Sequence, residues 1–191
     1  VLIIGIGLIG SSISRAIREH KLADKIVGFD ISANVINKCK ELNIIDESIN
    51  SIKSSGDDFD LIIICTPLST YKEIFKILNN NIKNKCIVTD VGSTKISAIN
   101  DFNNFCNNDF ISFVPGHPIA GLEKSGPKYG FAELFENRFC IITPFQNNNN
   151  DTNTIINFWK LIKMQVEIME AEHHDRIMAM TSHLPQLIAY S

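Results

Sequence analysis

Short apolar runs of strand length alternate along this chain with stretches whose apolar positions recur at helical spacing. The runs at 1–4, 25–29, 61–65, 86–89, 110–114, 139–142 and 165–169 are rich in Ile, Val and Phe and read as strands. Helices are predicted between them at about 11–20, 32–42, 69–80, 94–105 and 152–163. Such alternation predicts an α/β fold, a doubly wound, mostly parallel sheet with helices on both faces. The rhythm changes at Ala171, where EHHDRIMAMTSHLPQLIAYS reads as helix with no further strand. A domain boundary is therefore expected there, with 1–170 as one domain and 171–191 as the first helix of another. The chain begins inside its first strand without Met and ends within a helical pattern at Tyr190 and Ser191, so truncation is expected at both ends.

The first strand, VLII, runs into Gly5, Gly7, Leu8, Ile9 and Gly10, a GxGxxG turn that opens a helix. Each glycine has a physical task there: a tight turn, close approach of backbone to a pyrophosphate, and close packing of helix on strand. The helix start adds free N–H groups and a partial positive charge. The second strand, KIVGFD, ends in Asp30, about twenty residues after the last glycine, where a carboxylate can accept hydrogen bonds from an adenosine ribose. A carboxylate tolerates a free 2′-hydroxyl and repels a 2′-phosphate, so NAD is expected in preference to NADP.

Composition narrows the function classes. The 191 residues are 45% hydrophobic, enough for a full core, and the net charge is −3. No basic stretch suggests nucleic-acid binding, and no apolar run approaches the roughly twenty residues of a membrane helix. Five cysteines without CxxC spacing point to a reducing cytoplasm rather than a disulfide framework.

In a doubly wound sheet, ligands bind beyond the carboxyl ends of the strands. Three segments follow strands and are expected to line one cleft: Thr66 and Pro67; Gly92, Ser93, Thr94 and Lys95; Gly116 and His117. Pro67 either borders the cofactor or merely starts a helix. Ser93 or Thr94 is either a site hydroxyl or a helix N-cap. His117, between Gly116 and Pro118 in GHPIAGLEKSG, reads as a catalytic base displayed on a loop after a strand. Glu172, His173, His174 and Asp175 resemble metal ligands, but adjacent histidines face different sides of a helix and no HExxH completes a set, so no metal is expected. Lys124, Lys128 and Arg138 read as solvated charges.

The combination GIGLIG, DVGSTK, GHPIAGLEKSG and SHLPQ, in this order, resembles the prephenate dehydrogenase family, which includes arogenate and cyclohexadienyl dehydrogenases. The resemblance implies a Rossmann-type NAD-binding domain followed by an all-helical dimerisation domain, of which only the first helix is present, and a homodimer in the full-length protein. It implies oxidative decarboxylation of prephenate to 4-hydroxyphenylpyruvate in tyrosine biosynthesis, with hydride transfer to NAD⁺. By the same resemblance His117 is the general base and Ser93 holds its geometry. His183 and Ser182 line the substrate pocket, although His183 can equally be read as an ordinary helix histidine. Glu123 stands at the pocket entrance, Gln186 replaces a histidine found in some members, and His174 and Asp175 belong to the opening of the family's helix. Leu122 departs from the small hydroxyl residue of many relatives, and the arginine expected for the substrate carboxylates would lie beyond Ser191. Arogenate is the rival substrate. From a different class, a catalytically silent NAD-binding or sensor module on the same scaffold remains open.

Overall fold

The structure, a computed structural model, describes residues 1–54 and 59–183. Six strands, β1 (Leu2–Ile4), β2 (Val27–Phe29), β3 (Glu47–Ser48), β4 (Leu61–Ile64), β5 (Cys86–Asp90) and β6 (Ile111–Val114), form a parallel sheet of order β3-β2-β1-β4-β5-β6. The crossovers are α1 (Leu8–Glu19), α2 (Ala33–Glu41), α3 (Tyr71–Asn81) and α4 (Lys95–Phe105). This strand order reverses direction between β1 and β4, which makes the crevice at their carboxyl ends the expected ligand site.

Side-chain alternation along the central strands sorts the core into two layers. Ile3 and Ile63 join Ile13, Ile17, Phe135 and Trp159 on one face, while Leu2, Ile4, Ile62 and Ile64 join Phe75, Phe102 and Phe113 on the other. A strand buried on both faces reads as an unbroken apolar run, which is why VLII and LIII were conspicuous. α1, α2 and α5 (Asn149–Leu161) stop in the same way: Lys21, Asn43 and Lys163 adopt positive φ, and the next residue's N–H returns to the last turn, as in Leu22 N to Ile17 O at 2.9 Å. This satisfies carbonyls that a helix end leaves open, here without glycine.

Two predicted strands belong elsewhere. β8 (Phe139–Ile142) and β9 (Gln165–Ile168) pair with each other in parallel, and β8 pairs antiparallel with β7 (Gly116–Pro118) in a separate three-stranded sheet. His117 therefore stands in a strand, opposite Ile141, and not on a loop. Backbone pairing holds it more rigidly than a display loop would. After β9 comes α6 (Ala171–Met178), continued by a π-helical turn at Ala179–His183.

The seam between the sheets is polar and buried. The Asp90 carboxylate, fully buried at the end of β5, accepts from Tyr71 Oη (3.0 Å), Gly92 N (2.9 Å), Gly116 N (3.1 Å) and Lys95 Nζ (2.6 Å). The fully buried Lys95 ammonium also donates to Gly116 O at 2.6 Å. Burial drives the Lys95 pKa below its ordinary value against the pull of Asp90, and burial with the neighbouring carboxylate raises that of the Tyr71 phenol. We expect Lys95→Met, which leaves Asp90 buried without its cation, to cost about 3–5 kcal/mol in urea-denaturation stability; a loss below about 1 kcal/mol would contradict this role.

Candidate active site

The glycine turn meets the physical demands of its sequence. Gly5 has φ +88°, and a Cβ there would lie 2.9 Å from Cys65 O, so β1 and β4 approach as closely as they do only because this residue is glycine. A Cβ on Gly10 would lie 2.2 Å from Gly5 O, which fixes the packing of α1 on the turn. A Cβ on Gly7 would meet nothing within 4 Å, so that side of the turn is open. Gly7 is also the N-cap of α1 and supplies no capping side chain, leaving first-turn N–H groups around Leu8 and Ile9 for a ligand.

Asp30 follows β2 and braces this turn. Its Oδ2 accepts from Ile6 N and its Oδ1 from Ser32 N, both at 2.9 Å, which orients the carboxylate while each oxygen keeps capacity for another donor. Ile31 beside it is 95% exposed, an apolar surface at the mouth of the crevice. On the far side of the switch point, Thr66 Oγ1 accepts from Thr70 Oγ1 (2.8 Å), and exposed Pro67 precedes a 3₁₀ turn at Leu68–Thr70.

Ser93 is exposed in the turn after β5. Thr94 occupies the N-cap of α4 but makes no side-chain cap, its hydroxyl lying 2.7 Å from Ser97 Oγ. The cap comes from α6 instead: Asp175 accepts from Lys95 N (2.7 Å, Oδ1) and Ile96 N (3.0 Å, Oδ2). Asp175 Oδ1 also lies 2.7 Å from His174 Nδ1, and His174 Nε2 lies 2.9 Å from His117 Nδ1. His117 is half-buried, His174 fully buried, and their rings meet edge to face at 5.1 Å. The adjacent His173 is exposed, as expected for neighbours on a helix.

Below His117 an open cavity of about 1070 Å³ is lined by Ala120, Glu123, Arg138, Met178 and Thr181 among others. Glu123 and Arg138 thus share a wall with His117, and Arg138, exposed as expected for a solvated charge, also borders the candidate site. Lys124 and Lys128 lie over the Tyr129 ring at 5.2 and 4.6 Å. Ser182 and His183 belong to the π-helical turn that ends the described segment, and Gln186 lies outside the described residues. Sequence reasoning missed the Asp90–Lys95–Tyr71 cluster and the partnership of His174 with His117. A carboxylate ending the buried run CIVTD was a usable signal, since a charge there demands a partner.

A dinucleotide-type strand order, a glycine turn with an open face, a braced acid after β2 and a histidine across the switch point define a nucleotide-binding domain of the dehydrogenase kind. The family described as prephenate dehydrogenase, nucleotide-binding domain, matches residues 13–168. The chain belongs to that family. It is 36% identical over 191 residues to a cyclohexadienyl dehydrogenase of Zymomonas mobilis, covering all of this chain and 64% of the relative. It is 33% identical over 193 residues to a prephenate dehydrogenase of Bacillus subtilis, covering 100% of this chain and 52% of the relative. The chain thus spans about half to two thirds of the length of these relatives. The crystal structure of prephenate dehydrogenase from Aquifex aeolicus in complex with hydroxyphenyl propionate and NAD⁺ superposes with a TM-score of 0.92 at 35% identity, over 99% of this chain and 66% of that one. Among the described residues no helix is long and apolar enough to cross a membrane.

His174 makes the site sensitive to acid. Burial lowers the His174 pKa below 6.5, outweighing the opposing pull of Asp175. A depressed folded-state pKa contributes stability that is fully present above about pH 6.5 and is lost as pH falls through the folded value. Burial pushes the Asp175 carboxyl up, but the N–H groups of Lys95 and Ile96 and the His174 ring outweigh it and hold the pKa below 3.8, so a second loss follows at still lower pH. Thermal denaturation should therefore show Tm falling between about pH 7 and 5, and falling less in His174→Gln. Equal slopes for the two proteins would count against His174 as the titrating group.

Proposed function

We propose that this chain is the cofactor-binding part of an NAD-dependent dehydrogenase that oxidatively decarboxylates prephenate to 4-hydroxyphenylpyruvate. The observation that carries this reading is His117 on the wall of an open cavity, backed by His174 and Asp175, in a fold whose nucleotide turn is open at Gly7. The family match and the NAD⁺ complex of the Aquifex aeolicus relative support it. Gly5, Gly7, Leu8, Ile9 and Gly10 would hold the pyrophosphate, Asp30 the ribose hydroxyls, and Thr66 and Pro67 the neighbouring edge of the crevice. Ile31 offers the adenine an apolar face. Bound there, NAD⁺ supplies the hydride acceptor.

Prephenate loses hydride from its hydroxyl-bearing ring carbon, and the C–O bond gains carbonyl character. The hydroxyl becomes acidic, and neutral His117 accepts its proton. The bond to the ring carboxylate breaks, CO₂ leaves, and its electron pair makes the ring aromatic; the phenolic oxygen then recovers the proton from His117. Ser93 would hold the hydroxyl or the imidazole in register. Glu123, Ser182, His183 and Gln186 would contact the substrate from the entrance and from the segment after α6. We assign 1–170 to the cofactor domain and 171–191 to the start of a helical domain that dimerises in the full-length protein. Free cysteines at all five positions fit a reducing cytoplasm, and the reaction places the enzyme in tyrosine biosynthesis.

The test is NADH formation by the full-length protein with prephenate and arogenate side by side. Turnover of prephenate is expected; turnover of arogenate alone reassigns the substrate, and none with either favours a silent module. His117→Asn should keep NAD⁺ affinity while kcat falls about 10²–10⁴-fold; near wild-type turnover would remove His117 from the mechanism. Asp30→Ala should erode the preference for NAD⁺ over NADP⁺, and unchanged discrimination would sink the ribose assignment.

A further inference from the structure

The His117–His174–Asp175 contacts specify more than proximity, because with His174 neutral only one distribution of protons satisfies all of them. An ionised Asp175 carboxylate can only accept, and it already accepts from the N–H groups of Lys95 and Ile96. The 2.7 Å contact with His174 Nδ1 therefore requires the proton on Nδ1. His174 is fully buried on the first helix after the nucleotide-binding sheets, near the Lys95 ammonium, and both circumstances favour the neutral ring. In a neutral ring with Nδ1 protonated, Nε2 is an acceptor. The 2.9 Å contact to His117 Nδ1 then requires that His117 donate from Nδ1, which leaves His117 Nε2 as the basic nitrogen of its ring.

We propose that His174 and Asp175 are positioning residues that lock His117 in the tautomer with its proton on Nδ1, so that Nε2 is the nitrogen that receives the substrate proton. This rests on the reading of His117 as the base. The arrangement has the logic of a base oriented by a further group, extended by one imidazole, with a carboxylate that simultaneously caps α4. The orienting groups come from α6, while the base comes from β7. Docking of α6 and competence of the base are thus one event: undocking α6 removes the hydrogen bond that selects the tautomer. No proton needs to travel along the chain. His174 stays neutral throughout, and its hydrogen bond strengthens as His117 becomes an imidazolium.

Two-bond ¹H–¹⁵N correlation spectra of the full-length protein, at a pH above the histidine titrations, report the tautomer directly. His117 is expected as the Nδ1–H form; the Nε2–H form would overturn the proposal. This readout needs no turnover, so it stands apart from the assay on prephenate, whose failure would sink the enzymatic reading alone. In kinetics, His174→Ala should lower kcat about 10²-fold or more with NAD⁺ affinity little changed. His174→Gln, whose amide oxygen can still accept from His117 Nδ1 while its NH₂ donates to Asp175, should recover most of that loss. Wild-type kcat in folded His174→Ala, or glutamine no better than alanine, would refute the positioning role. Should His174→Ala not fold, the wild-type tautomer and the His174→Gln rate still decide the matter.

Discussion

The buried ion pair of Lys95 and Asp90 is the constraint on which the site depends. A carboxylate and an ammonium that are both 0% exposed are stable only when their hydrogen-bonding capacity is filled, and the groups that fill it come from four parts of the chain. Tyr71 brings the start of α3, Gly92 the turn after β5, Lys95 the first turn of α4, and Gly116 the start of β7. Replacing the pair by apolar residues could be as stable in principle. It would not fix the register of β7 against β5, because Gly116 is held through both its N–H and its C=O. His117 follows immediately, so the position of the candidate base is set by a polar seam rather than by apolar packing.

The same economy appears one layer out. α4 begins with free N–H groups, and Thr94 at its N-cap turns its hydroxyl to Ser97. Asp175 fills the vacancy from another helix, and its charge is favourably placed at the positive end of α4. A local cap would stabilise α4 alone, whereas a cap supplied by α6 makes the start of α4 depend on the docking of α6. Tying two elements together in this way lets one carboxylate serve packing, helix termination and the orientation of His174.

What could be read from the sequence was local, and what could not was distant. The glycine turn and Asp30 were legible because their chemistry is fixed by neighbours in a strand-turn-helix unit, and all seven predicted strands exist with small shifts at their ends. β3 was missed because two residues, Glu47 and Ser48, carry no apolar pattern. β7 was missed because Gly-His-Pro reads as a loop, and its strand conformation comes from pairing with β8, more than twenty residues later. The separate three-stranded sheet was equally hidden, since apolar runs announce strands but not their partners. Asp175 caps a helix eighty residues earlier in the chain, a contact that no local pattern encodes. His174 and Asp175 looked like failed metal ligands because side-chain type and spacing were visible and their true partners were not.

The charges around His117 bear on why a histidine, rather than a carboxylate, stands between this candidate base and Asp175. A carboxylate in direct contact with His117 would hold the imidazolium strongly and favour the protonated ring before substrate arrives. With His174 interposed, the negative charge acts through a ring that burial, aided by the Lys95 ammonium, holds toward the neutral form against the pull of Asp175 and Asp90. The orientation gained from a carboxylate is kept while its charge stands one ring further from His117. On the proposed reading, this arrangement would let His117 accept a proton as the substrate hydroxyl turns acidic and return it once the ring has become aromatic.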